Sequence, residues 1–100
     1  MVCVSSRAAV VPFAGAAGYV TSKAAVLAFA NAVAVEYRKL GVRANTVLPS
    51  IIDTPANRQA MASMDPSRWV APAEIAAVIG HLLSDDLRIS TGALVPVYGA

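Results

Sequence analysis

The sequence predicts an α/β fold in which parallel strands are joined by crossover helices, and three observations predict it. Two short apolar runs rich in β-branched residues, Met1–Ser5 and Val42–Leu48, show no polar alternation, as strands do when both faces are covered. A third run, Gly92–Val97, closes the chain and carries Pro96, which argues for an edge position. Helical patterns separate the three, and the order strand, helix, strand, helix, strand implies parallel strands with right-handed crossovers. The 100 residues are 57% hydrophobic and 14% charged, which excludes a disordered chain. Ala supplies 21 of the hydrophobic residues and Val 14, small side chains that suit close-packed helices and buried strands.

Each element follows from local chemistry. Arg7–Gly18 holds Pro12, Gly15 and Gly18 among small residues and reads as a loop. Tyr19–Leu40 reads as a helix that is apolar nearly all round until Glu36, hence one buried on more than one side. Gly41, just after Arg38 and Lys39, supplies a left-handed stop beside cations that suit the carbonyl end. Pro49 ends the second strand, and Thr54-Pro55 offers an N-cap with proline in the first helical position, predicting a short helix over Pro55–Ser63. Asp65–Ala71 reads as a loop. Pro72–Leu83 spaces Ile75, Val78, Ile79 and Leu82 as an amphipathic helix does, with Glu74 near its positive end. Ser84–Thr91 is a polar connection, and there is no internal repeat, heptad or low-complexity tract.

Several classes of function fall away on composition. The eight basic residues are spread along the chain with only Arg38 and Lys39 adjacent, so the net charge of +2 forms no basic stripe and nucleic acid is not an expected partner. The uncharged runs Ala8–Ser22 and Ala24–Val35 fall short of the ~18 residues of a membrane span, and the first residues lack the pattern of a secretory signal. No membrane association and a cytoplasmic location are the expectations. Cys3 is the single cysteine and reads as packing, while His81 stands without a second His or Cys, so no metal is expected. Trp69 reads as packing, and Ser6 with His81 does not form a hydrolase pattern.

Chemistry in a parallel sheet gathers beyond the carboxyl ends of the strands, here Ser5–Gly18, Pro49–Thr54 and the tail after Val97. Tyr19 and Lys23, four residues apart at a helix start, stack on one face. A phenol is a poor acid or base at neutral pH, but an ammonium one turn away favours the phenolate, so Tyr19 can exchange a proton with an alcohol or carbonyl. Ser6, thirteen residues earlier at the end of a strand, can hydrogen-bond the same oxygen. Tyr-x-x-x-Lys alone reads as a surface pair. The serine at this offset, before a Gly-rich loop and an Ala-rich helix, makes coincidence a poor account.

Val4-Ser5-Ser6, the loop ending in Gly18, and Tyr19-Val-Thr-Ser-Lys23-Ala-Ala-Val resemble the catalytic segment of the short-chain dehydrogenase/reductase family. Val42-Arg-Ala-Asn45-Thr-Val-Leu-Pro49-Ser50-Ile-Ile-Asp-Thr54 is similar to the family stretch Asn-x-Val-x-Pro-Gly-x-x-x-Thr, with Ser50 in place of the glycine. Pro72-Ala-Glu74 and Thr91-Gly92 resemble its last helix and strand, and Leu48–Arg58 resembles more narrowly the dihydropteridine-reductase-like branch.

The resemblance runs the length of the chain and implies a partial doubly wound Rossmann-like parallel sheet, made of its last three strands and crossover helices. It implies an oxidoreductase that transfers a hydride between NAD or NADP and a small carbonyl or alcohol substrate. Ser6, Tyr19 and Lys23 are the implied catalytic residues. Tyr19 and Lys23, with Pro49, Ser50, Ile52 and Thr54, are the implied contacts to the nicotinamide half of the cofactor. It also implies a homo-oligomer formed through helix 19–40 when the domain is complete.

The chain carries no Gly-x-x-x-Gly-x-Gly turn for a pyrophosphate and no acidic or basic residue placed to read the adenosine ribose. Residues 1–100 are therefore expected to form the carboxy-terminal half of the domain, without its amino-terminal nucleotide-binding half, and the isolated chain is expected to be inactive. The competing expectation is a non-catalytic piece whose apolar helix serves an interaction or structural role.

Overall fold

A computed structural model of the chain describes residues 1–99. Its elements, in order, are β1 (Val2–Val4), α1 (Ala17–Glu36), β2 (Asn45–Pro49), α2 (Pro55–Ala60), α3 (Pro72–Leu83) and β3 (Leu94–Val97), with short 3-10 turns between them. The strands form one parallel sheet in the order β1-β2-β3, with Val2 opposite Asn45 and Thr46 opposite Leu94. This is the α/β architecture read from the sequence.

Backbone polarity decides how the strands end. The amide of Asn45 bonds to Met1 and that of Thr46 to Ala93, so odd residues of β2 face β1 and even residues face β3. Pro49 falls on the side facing β1, where its missing N–H ends that pairing, while the amide of Ser50 continues to Val97. Pro49 thus belongs to the strand it was expected to terminate. The carbonyls of Ala93 and Val97 face β2, which turns Pro96 outward on an edge strand.

The second strand begins at Asn45 rather than Val42, because the residues before it serve other bonds. The guanidinium of Arg43 donates to the carbonyls of Leu82 and Leu83, left open at the end of α3, and to those of Ser84 and Ser90, at 2.9–3.4 Å. Asn45 is buried, donates to the Ser90 carbonyl at 3.0 Å and accepts from the Ala93 amide at 3.0 Å, which sets the approach of β3.

Helix α1 begins at Ala17, two residues ahead of the expectation, and stops at Glu36; Arg38–Leu40 tightens to a 3-10 turn that Gly41 closes at φ 75°. Only Ala30 and Ala34 of this helix are buried, one turn apart on the face toward the sheet, while Phe29 is 60% and Val35 81% exposed. The expectation of burial on several sides is corrected: three strands cover one stripe, and alanine there lets the helix approach closely. By length and composition Ala17–Glu36 could cross a membrane, a test that core helices of soluble proteins also pass.

On the other face of the sheet, Val47, Val70, Ile75 and Leu82 form the core, with Val2, Val78 and Val95 packed against it. Helix α3 has the bounds read from the sequence, and its Glu74 carboxylate accepts from the Ala71 amide at 3.2 Å. Helix α2 is three residues shorter than expected, with the Thr54 hydroxyl accepting from the Asn57 amide as its N-cap. The expected loop Asp65–Ala71 includes a strand-like bridge from Val70 to Ile52.

Replacing Asn45 by Ala leaves the Ala93 amide and the Ser90 carbonyl without this partner and is expected to cost about 1–3 kcal/mol. The urea midpoint should fall accordingly, with Arg43→Ala lowering it as well through the end of α3.

Candidate active site

The carboxyl ends of β1 and β2, the loops that follow them and the start of α1 line a cavity of about 670 Å³. Six sequence-predicted residues from three segments meet on its wall: Ser6, Tyr19, Lys23, Pro49, Ser50 and Ile52. Ser6 follows β1, and its hydroxyl oxygen accepts from the Ala8 amide at 3.1 Å, which turns the chain at Arg7–Ala9 and leaves the O–H free to donate. The neighbouring Ser5 donates to the carbonyl of Lys23 at 2.6 Å, fastening the strand end to α1.

Tyr19 and Lys23 project from successive turns of α1, with the ammonium 5.9 Å from the ring centroid. Tyr19 is half exposed and Lys23 half-buried, and neither forms an ion pair among the described residues. Ser50 adopts no positive φ, so the glycine expected at this position is not required by its conformation. Its hydroxyl instead donates to the Tyr98 carbonyl at 3.0 Å and ties the tail to the loop after β2.

Thr54 lies outside the cavity lining, with its side-chain oxygen engaged as the N-cap of α2. Asn57, whose backbone amide it caps, lines the cavity and donates from Nδ2 to the Ile52 carbonyl at 2.8 Å. From residues 51–69, Met61 and Met64 line the cavity together with Ile51, Ile52 and Asn57, while Trp69 stays out. The three-residue spacing of those methionines around the end of α2 was the available signal. Arg7, next to Ser6 in sequence, also lines the cavity and was not singled out. No group of three His, Cys, Asp or Glu suitable for a metal exists among the described residues.

Beside the cavity Asp53 meets Arg58 in a two-pronged ion pair at 2.6 and 2.9 Å. The hydrogen bonds from Arg58, helped by its charge, hold the Asp53 carboxyl below the ordinary carboxylate range.

The family model described as Enoyl-(Acyl carrier protein) reductase matches residues 1–99. Cyclohexanol dehydrogenase of Acinetobacter sp. (strain SE19) is 35% identical over 101 residues, covering 96% of this chain. An oxidoreductase from Burkholderia thailandensis, described as of the short chain dehydrogenase/reductase family, superposes with a TM-score of 0.84 at 31% identity over 96% of the chain. The chain belongs to the short-chain dehydrogenase/reductase family. A 4-hydroxyisoleucine dehydrogenase solved with NADH matches 99% of it with a TM-score of 0.83 at 29% identity. The chain spans 40% of the cyclohexanol dehydrogenase, 41% of the Burkholderia protein and 44% of the 4-hydroxyisoleucine dehydrogenase. Family membership accounts for the sheet and for the placing of a cavity beyond the carboxyl ends of its strands.

The lowered Asp53 carboxyl has a direct check. Its midpoint, followed by carboxyl NMR, should lie below that of the same group in Arg58→Ala. Because the folded value is the depressed one, the pair's stabilisation is present above the unfolded carboxylate value of about 3.9 and is lost as pH falls through the folded value.

Proposed function

We propose that residues 1–100 are the carboxy-terminal half of a Rossmann-like short-chain dehydrogenase/reductase domain and supply the proton-transfer side of an NAD- or NADP-dependent oxidoreductase acting on a small carbonyl or alcohol. The observation that carries this reading is the convergence of Ser6, Tyr19 and Lys23 on one cavity. Tyr19 is the general acid in reduction and the general base in oxidation, exchanging a proton at its hydroxyl with the substrate oxygen. Ser6, whose O–H is free, donates to the same oxygen and polarises the carbonyl.

The donor set fits the nicotinamide half of the cofactor. The ammonium of Lys23 and the hydroxyl of Tyr19 would hold the ribose hydroxyls, and the Ser50–Ile52 backbone would meet the carboxamide. When bound, the nicotinamide supplies or accepts the hydride. Thr54 would act through its cap on α2, which fixes Asn57 and the carbonyl of Ile52. The apolar walls orient the substrate.

The test joins this chain to an amino-terminal half, its own or that of the cyclohexanol dehydrogenase relative. In the joined enzyme Tyr19→Phe should lower turnover by roughly 10²–10⁴-fold, the usual worth of general acid/base work, while cofactor binding stays largely intact. Lys23→Met should weaken both. Turnover retained in Tyr19→Phe would overturn the assignment.

We also propose that the exposed face of helix 19–40 pairs with a second copy in the complete enzyme. Ala30 meets the sheet, so Ala30→Glu should unfold the protein. Phe29→Glu and Val35→Glu, on exposed positions, should instead yield monomers in sedimentation. The 100-residue chain alone, with β1 unpaired on one side, is expected to associate and to bind neither NADH nor NADPH in fluorescence titration. Saturable micromolar binding by a monomer would contradict this.

A further inference from the structure

We infer that Arg7 selects the substrate: the molecule whose oxygen reaches Ser6 and Tyr19 carries a carboxylate on an apolar body, and the guanidinium of Arg7 receives that carboxylate. The inference rests on the reading of the site just given and names the substrate class for it.

The cavity's charge is one-sided. Arg7 and Lys23 line it, and none of its lining residues is acidic. Asp53, the carboxylate closest in sequence to the lining residue Ile52, is already held by Arg58 at 2.6 Å. The ammonium of Lys23 is committed to the Tyr19 side of the site. Arg7 remains as a cation that forms no ion pair among the described residues.

Arg7 is also held in place. Its guanidinium lies over the ring of Tyr98 at 4.8 Å from the centroid, and the carbonyl of Tyr98 is fastened by Ser50. Stacking occupies a face of the guanidinium and leaves its in-plane N–H groups to meet a carboxylate as a fork. Arg7 directly follows Ser6, whose oxygen fixes the turn Arg7–Ala9, so the carbonyl-polarising hydroxyl and the cation share one rim. The remaining wall is made by Val11, Phe13, Ile51, Met61 and Met64, which accommodates an apolar body and offers no other group of opposite sign to an anion. The carboxylate is bound and unchanged by the reaction.

The experiment compares 4-oxopentanoate, 5-oxohexanoate and 6-oxoheptanoate with their three amides in the joined enzyme. A charge-assisted pair predicts kcat/KM higher by roughly 10- to 100-fold for the best acid than for its amide. The difference should lie in KM, nearly vanish in Arg7→Leu and survive in part in Arg7→Lys. Calorimetry with hexanoate and hexanamide, on the chain as it stands and on the joined enzyme, reads the same preference without turnover. If no oxo compound is reduced while hexanoate still outbinds hexanamide through Arg7, the redox reading fails and the anion site stands. Equal affinity for acid and amide in the unsubstituted protein, or a preference undiminished in Arg7→Leu, overturns the inference.

Discussion

A parallel strand in the middle of a sheet must satisfy its backbone on both sides and bury both of its faces, and β2 carries that constraint for this protein. All five of its residues are buried. Its odd residues bond to β1, its even residues to β3, and Asn45 uses both ends of its amide to hold the chain that enters β3. Val47 belongs to the core beneath α3, while the opposite face of the sheet receives the Ala30–Ala34 stripe of α1. Because β2 ends at Pro49, with no amide to offer β1, the sheet stops there and the chain is released into the site. The hydroxyl of buried Thr46 is left without a partner in the strand's interior, and nothing in the fold gives it a role.

That central strand also decides how the site is assembled. Tyr19 and Lys23 stand on α1, but many of the other residues around the cavity, such as Ser6, Arg7, Ser50 and Ile52, come from segments outside the regular elements that would be costly to order separately. They are fastened to one another instead: Ser5 to the carbonyl of Lys23, Ser50 to the carbonyl of Tyr98, Arg7 to the ring of Tyr98, Asn57 to the carbonyl of Ile52. The first three join segments distant in sequence, and the last closes the loop that leads into α2. The geometry between Ser6 and Tyr19 therefore depends on β1 and α1 being locked together, which the Ser5 hydroxyl does beside them.

How much of this was legible in the sequence varied with the range of the interaction. Local signals read well. Gly41 closes the turn after α1, Thr54 and Pro55 open α2, and the spacing of Ile75, Val78, Ile79 and Leu82 delimits α3. The grouping of Ser6, Tyr19 and Lys23 followed from strand direction and helical spacing. What was missed depended on distant partners. Val42 is β-branched, yet Arg43 beside it is drawn to carbonyls about forty positions away, which holds the chain out of the ladder until Asn45. Val70, in a polar-looking segment, is captured by Ile52. The exposure of α1 could not be read from its composition, because an apolar helix looks the same whether its second face is covered by this chain or by another surface.

The uncovered surface and the site are one problem, and Val4 shows why. It belongs to β1, whose outer edge has no partner strand among the described residues, and it lines the cavity while remaining 44% exposed. A strand placed against that edge would supply the missing ladder bonds and cover Val4, which lines the cavity as Ser6 does. An apolar strand with one bare edge is a template for pairing, so its partner gains hydrogen bonds and buried area together. The proposed reaction needs the same closure, since a proton shared between Tyr19 and a substrate oxygen is directed best where water is excluded. On the proposed reading, completing the sheet beside β1 and closing the groove beside Ser6, Tyr19 and Lys23 would therefore be a single event.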